Sequence, residues 1–495
     1  MNVRVYMKTR KNYVGGAWVE SNAGSNFDVV NPGTGEILGK VPAGCREDVD
    51  QAARKAAAAQ DTWRNAPPEQ RIQYLFKMKK VLEDNADEVA SICTQECGKT
   101  LGESKAEIVR AVENIEVACG IPTLMQGEFS EDVSAGVDEF VIRQPLGVGA
   151  CIAPFNFPVM IPFWFFPYAI ACGNTYIVKP SEKVPGAMTR IFELFEEIGL
   201  PAGVLNLVHG GKNTVDAILT HDLIKAVSFV GSTKVAKYVY AKGTEHGKRV
   251  QAQGGAKNAL VVMPDADVET TTRIVADSVY GCAGQRCLAA STIVLVGEAK
   301  ETFRSKLLDA AKHRTTSYGL EKTAQMGALI SGESRRRIEA IIDDAGKKGA
   351  KILLDGRIGT LKGYEGGQYI LPTVMESVPD NADASSTEIF GPVMILKDVA
   401  TLGEAIRYIN GGQYGNAACI FTTNGAAART FRRDVLAGNI GVNIGVPAPM
   451  AFFPFSGWKD SFFGDLHGQA RHAVEFFTQT KVVIERWHGE WTRTF

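Results

Sequence analysis

Apolar positions in the first quarter of the chain recur at helical spacing. Asp48–Thr62 and Pro68–Asn85 show it, and Glu88–Cys97 and Thr100–Gly120 continue it, so this region is expected to be largely helical. Ahead of it, Asn12–Val29 alternates apolar and polar residues around Gly15-Gly16, a hairpin-like opening. From Asp138–Gln144, a short strand, the pattern changes. Gly147–Ile152, Thr175–Lys179, Val204–Val208, Ala226–Val230 and Val250–Gln253 read as strands. Between them Phe163–Cys172, Gly186–Ile198, Lys212–Leu219 and Lys234–Lys242 read as helices. Strands separated by single helices imply parallel pairing in an α/β sheet.

A second series of the same kind follows. Asn258–Met263 is a strand, Val268–Tyr280 a long helix, Ser291–Val296 a strand, and Ala299–Arg314 and Glu333–Lys348 helices. Val393–Asp398, Leu402–Asn410 and Ala418–Phe421 repeat strand, helix and strand, and Phe476–Ile484 is a late apolar strand. Gly356–Gly367 is glycine-rich and reads as a surface loop or hairpin. The pattern predicts two α/β domains joined near Gln253–Lys257, and 495 residues is more than one core usually supports.

Composition removes several function classes. The net charge is −1, with no basic excess of the kind a nucleic-acid binder needs. The basic clusters Lys77, Lys79 and Lys80, and Arg335-Arg336-Arg337, read as solvated helix faces. The most apolar run, Ile152–Cys172, holds Pro154, Pro158, Pro162 and Pro167, which argues against a membrane helix. Met1–Lys11 lacks the apolar segment of a secretory signal. The nine cysteines are scattered, suit a reducing compartment and have no zinc-like spacing, so a cytoplasmic protein without a metal site is expected.

The candidate chemistry centres on Gly281–Ala290. Cys287 follows Gly284, Gln285 and Arg286, where small residues would let the backbone approach a ligand and a cation would favour the thiolate. Other motifs occur in order along the chain: Phe155-Asn156-Phe157-Pro158, Lys179-Pro180-Ser181-Glu182, Phe229-Val230-Gly231-Ser232-Thr233, Gly255-Ala256-Lys257-Asn258, Glu388-Ile389-Phe390-Gly391-Pro392 and Pro454-Phe455-Ser456-Gly457. Together they resemble the aldehyde dehydrogenase superfamily over nearly the whole chain.

The resemblance implies an α/β fold with a Rossmann-like NAD-binding domain (residues 1–128 and 147–254), a catalytic domain (255–455) and a small β oligomerisation arm (129–146 and 470–495). It implies Cys287 as nucleophile on an aldehyde carbon and the Asn156 amide, with the Cys287 backbone N–H, as oxyanion hole. It implies Phe155, Lys179, Glu182, Gly231, Ser232, Glu388 and Phe390 as cofactor contacts. A carboxylate at Glu182 would accept from a ribose 2′-hydroxyl and repel a 2′-phosphate, which favours NAD over NADP. Gly231-Ser232 would aim a helix N-terminus at the pyrophosphate. Ala236 stands where the family often has a second glycine. A homo-oligomer, dimer or tetramer, is expected, with a small-molecule substrate and neither nucleic acid nor membrane as partner.

One position departs from the commonest members. Gln253 occupies the site of the glutamate that activates water, and an amide cannot take a proton as a carboxylate does. An amide there resembles the methylmalonate-semialdehyde dehydrogenase branch, where Asn is the usual choice and coenzyme A takes the acyl group. The segment Ala256–Ala266 and the pairing of Arg110 with Arg286 are similar to that branch too, although Leu288 stands where it often has Met. Two arginines could bind the carboxylate of a semialdehyde through bidentate contacts. The expected reaction is oxidation of malonate semialdehyde, or its 2-methyl homologue, to acetyl- or propionyl-CoA with loss of the β-carboxylate as CO2. The alternatives are a hydrolytic aldehyde dehydrogenase using Glu388 or a water relay as base, and a non-catalytic protein of the same fold.

Overall fold

The computed structural model describes residues 9–357 and 361–487. The basic residues Arg4 and Lys8, Gly359 of the glycine-rich stretch, and residues 488–495 of the expected arm lie outside the described residues. The first large sheet has eight strands. Its centre is five parallel strands whose spatial order is Leu205–Leu207, Thr175–Lys179, Val148–Ile152, Ile224–Val230 and Arg249–Gln253. Chain order reverses between Val148–Ile152 and Ile224–Val230, the kind of switch point at which α/β sheets open a crevice. Antiparallel strands close both edges, Asn12–Val14 pairing with Ala17–Val19 on one side and Phe462–Phe463 on the other.

The central strands are apolar on both faces because helices cover both. Alternate residues feed two cores. Cys151, Tyr176 and Val178 face one that includes the helices Pro68–Asp84, Ala86–Cys97 and Leu101–Ala118. Ala150, Ile152 and Ile177 face the other, against Arg46–Asn65 and Lys212–Thr220. The second sheet has seven strands, with Asn258–Val262, Ala290–Val296, Val393–Val399 and Ala417–Phe421 parallel at its centre. A three-stranded sheet stands apart, in which Val137–Pro145 pairs with Phe129–Ser134 and, over its full length, with Thr478–Arg486. Among the described residues no helix is long and apolar enough to cross a membrane.

Two readings of the sequence are corrected. Phe163–Cys172 is not one helix but the end of Met160–Phe163 followed by Phe166–Ala171. Pro167 lies at the start of the second, where a missing N–H costs nothing. Phe476–Ile484 is not all strand. Phe476 and Phe477 end the helix Ala470–Phe477 with their rings in the core, and the strand begins at Thr478. The Arg249 guanidinium satisfies the carbonyls of Glu475, Phe476 and Thr478 at that helix end. Arg337 is exposed, as a helix-face cation should be, and it also donates to the carbonyls of Glu388 and Ile389.

Candidate active site

The expected site residues gather where the two large sheets meet. Ile152, Lys179, Val230 and Gln253 end parallel strands of the first sheet, and the loops beyond them carry Phe155, Asn156, Glu182, Gly231 and Ser232. Cys287 lies on the approach to Ala290–Val296 at the N-terminal edge of the second sheet. A cavity of about 320 Å³ opens between them. Cys287, Arg110 and Arg286 line it, with an apolar wall that includes Phe157, Trp164, Leu288 and Phe455.

The turn before the nucleophile has a strained backbone. Cys282 and Ala283 take φ of 50° and 52° and Gly284 follows at 72°. A left-handed conformation costs a non-glycine residue roughly 1–3 kcal/mol, so the surroundings must hold the turn. Glu103 is one such hold. Its Oε2 closes a capping box with Thr100 at the start of the Leu101–Ala118 helix. Its Oε1 accepts from the Cys282 N–H at 2.6 Å and from Arg286 Nη2 at 3.0 Å. Two amide side chains fix the other end. Asn258 and Asn416 both donate to the Cys287 carbonyl, at 2.8 and 2.7 Å.

The glycines of this turn do something other than expected. A side chain at Gly281 would collide with the Arg286 guanidinium, and one at Gly284 would lie 2.1 Å from the Gly391 carbonyl. They make room for protein, and the second locks the nucleophile turn against the Glu388–Pro392 motif. Arg286 does favour a Cys287 thiolate, as expected, but its pull is outweighed. Its Nε faces the Cys282 sulfur at 3.2 Å, while burial, reinforced by the charge of Glu388, pushes the Cys287 thiol up to about 12. A thiol so far above neutral gains thiolate tenfold per pH unit. Alkylation of Cys287 by iodoacetamide, followed by peptide mass in the free protein, is therefore expected to rise tenfold per unit from pH 7 to 9. A plateau below pH 8 would show a thiolate already formed at neutral pH.

Asn156 is buried, and its Nδ2 donates to the Gln285 carbonyl at 2.9 Å, two residues before Cys287. It is not among the residues that line the cavity. Gln253 is also buried. Its Nε2 donates to the Phe455 carbonyl at 3.1 Å, and its Oε1 has no partner. Glu388 accepts from the Ala256 N–H at 2.9 Å, and only a glycine at 255 leaves it room. Burial raises the Glu388 carboxyl to about 7 and lowers the neighbouring Lys257 ammonium, whose Nζ lacks a partner, to about 7.

Lys179 is buried, with its Nζ 3.4 Å from Glu182, which is a third exposed. Ser232 precedes the helix Thr233–Glu245 without capping it through its side chain, so the first N–H groups there stay open. Phe390, at φ 51°, stands edge-on to Phe155 with ring centroids 5.8 Å apart. Sequence reading passed over Glu103 and Asn416, read Arg337 only as a solvated cation, and gave Asn258 no task. Each acts across a long chain separation, and the box Thr100-x-x-Glu103 was the one local signal among them.

A fold of two parallel sheets with a cysteine at their junction defines a class, and the comparisons agree. The aldehyde dehydrogenase family model matches residues 18–483, and the chain belongs to that family. Malonate-semialdehyde dehydrogenase 2 of Geobacillus kaustophilus is 45% identical over 481 residues, 97% of this chain and 99% of that one. The crystal structure of methylmalonate-semialdehyde dehydrogenase (DddC) from Oceanimonas doudoroffii superposes with a TM-score of 0.96 at 40% identity, covering 98% of this chain and 99% of that one. A Sinorhizobium meliloti 1021 protein, assigned by inference as methylmalonate-semialdehyde dehydrogenase and solved with NAD, gives 0.96 at 41% over 98% and 99%.

Proposed function

We propose that this enzyme oxidises malonate semialdehyde or its 2-methyl homologue with NAD and passes the acyl group from Cys287 to coenzyme A. The observation that carries the reading is the cavity itself, with a cysteine and two arginines, Arg110 and Arg286, in one lining. Cys287 attacks the aldehyde carbon. The Asn156 amide and the Cys287 backbone N–H hold the oxygen that becomes negative. Arg110 and Arg286 take the carboxylate and keep the aldehyde end turned toward the sulfur.

The residues present fit a dinucleotide. The open helix N-terminus behind Ser232 suits a pyrophosphate, the buried Lys179 with Glu182 suits ribose hydroxyls, and the unpartnered Lys257 ammonium sits beside Glu388. Bound NAD supplies the hydride acceptor. Phe155 and Phe390 form an apolar corner able to exclude water from it. The resulting thioester on Cys287 meets no carboxylate at position 253, so water is a poor acceptor and the thiolate of coenzyme A a good one.

NADH formation from malonate semialdehyde is expected to depend on coenzyme A. Gln253→Glu is expected to raise the coenzyme A-independent rate at least ~10-fold, since a placed general base is worth ~10²–10⁴. Full turnover of the unaltered protein without coenzyme A, with free acid as product, would overturn the acylating assignment. It would favour the second reading, in which Glu388, raised to about 7, serves as base for hydrolysis.

A further inference from the structure

Outside the groups already given a task, the most heavily built polar cluster lies under the Phe155–Met160 loop. Lys99 and Glu107 form an ion pair there with side chains only 2% and 0% exposed. Every polar atom of the pair is directed at the loop or its supports. Lys99 Nζ donates to the Asn156 carbonyl at 3.0 Å and stands 4.5 Å from the centre of the Phe157 ring. Glu107 Oε1 accepts from the backbone N–H groups of Val159 and Met160 at 2.7 and 2.9 Å, and its Oε2 takes the Lys99 ammonium and the Cys93 thiol. Cys97 Sγ adds a contact to the Phe155 carbonyl at 3.2 Å. The loop is therefore gripped on both sides of Asn156, at Phe155 and Asn156 by carbonyls and at Val159 and Met160 by amides.

We infer that Lys99 and Glu107 are positioning residues which set the direction of the Asn156 side-chain amide. The inference rests on the reading of Asn156 as an oxyanion donor. Burying an ion pair is no efficient way to gain stability, because apolar side chains of like volume serve as well or better. A fixed pair does confer direction: with the peptide groups on either side held, the Asn156 amide has one way to point, toward the Gln285 carbonyl and the nucleophile turn. Oxyanion donors act through such pre-set geometry, and a displacement of about 1 Å can cost ~10²-fold in rate.

The test is a double-mutant cycle on the full-length enzyme, read as kcat and KM for NADH formation with saturating NAD and coenzyme A. Asn156→Ala alone is expected to lower kcat ~10²-fold. Lys99→Met is expected to lower kcat ~30-fold with KM changed less than threefold, and Lys99→Arg to recover part of the loss. In the Asn156→Ala background, Lys99→Met should cost less than a further twofold, because the amide it aims is gone. Cys97→Ala, which leaves the ion pair intact, guards against misfolding of the charge variants. It should lower kcat ~3-fold in the unaltered chain and not at all in the Asn156→Ala background. Multiplicative losses in the cycle, or full kcat in Lys99→Met, would overturn the inference while leaving the oxyanion role of Asn156 in place. Unchanged kcat in Asn156→Ala would overturn both.

Discussion

Cys287→Ala is expected to abolish NADH formation, with kcat reduced on the order of 10⁴-fold or more, because no other described nucleophile is available to form the thioester. Cys282 is the nearest rival in the same cavity lining. It cannot substitute, since its sulfur is held by the Arg286 guanidinium at 3.2 Å. NAD binding should survive, because Lys179, Glu182 and Ser232 lie at a strand end and on loops of the other sheet. Isothermal titration of the variant with NAD, alongside a progress curve at high enzyme concentration, separates the two properties. Residual turnover within tenfold of the unaltered enzyme would sink the assignment of Cys287.

The second large effect concerns which aldehyde is accepted. Arg110→Ala is expected to lower kcat/KM for malonate semialdehyde ~10²-fold, while a neutral aldehyde of similar length, such as propanal, should change less than threefold. Truncating one partner of a buried, hydrogen-bonded charge pair typically costs about 2–5 kcal/mol, and 1.4 kcal/mol is a factor of ten. Arg110 is the cleaner choice of the two arginines. Its guanidinium is anchored by Glu113 at 2.7 Å and touches Met450 Sδ at 3.0 Å, whereas Arg286 also holds the Cys282 turn. Loss of Arg286 would therefore mix substrate binding with disorder of the nucleophile turn. Equal losses for both aldehydes in Arg110→Ala would remove Arg110 from the substrate's carboxylate.

Much of this architecture was legible in the chain because periodicity is a local property. Strands such as Thr175–Lys179 and helices such as Val268–Tyr280 run where their apolar spacing predicts. The errors have local causes too. Prolines split the stretch before Cys172, and two phenylalanines that read as strand are the buried face of a helix end. The candidate residues converge at one junction, yet what holds them was hidden. Asn416 meets Cys287 from 129 residues away and Lys99 meets Asn156 across 57. Nothing in the immediate sequence marks such partners. Even Arg286, well placed by its motif, spends its Nε hydrogen bond on the Cys282 sulfur, a matter of side-chain direction that spacing cannot convey.

The Leu101–Ala118 helix sends Glu103 to the nucleophile turn, Glu107 to the Asn156 loop, Arg110 into the cavity and Asn114 to the Tyr168 hydroxyl. Those positions are four, three and four residues apart, the spacing of a single helical stripe. The helix thus works as a gauge block, with its 1.5 Å rise per residue setting the separations among parts that never touch. Substitutions along its outer side leave that gauge intact. One residue inserted or deleted between Glu103 and Arg110 would turn the downstream half by about 100° and dismantle several alignments together. Variation through the lineage should therefore take the form of exchange within this helix, and changes of length should be confined to the loops that flank it.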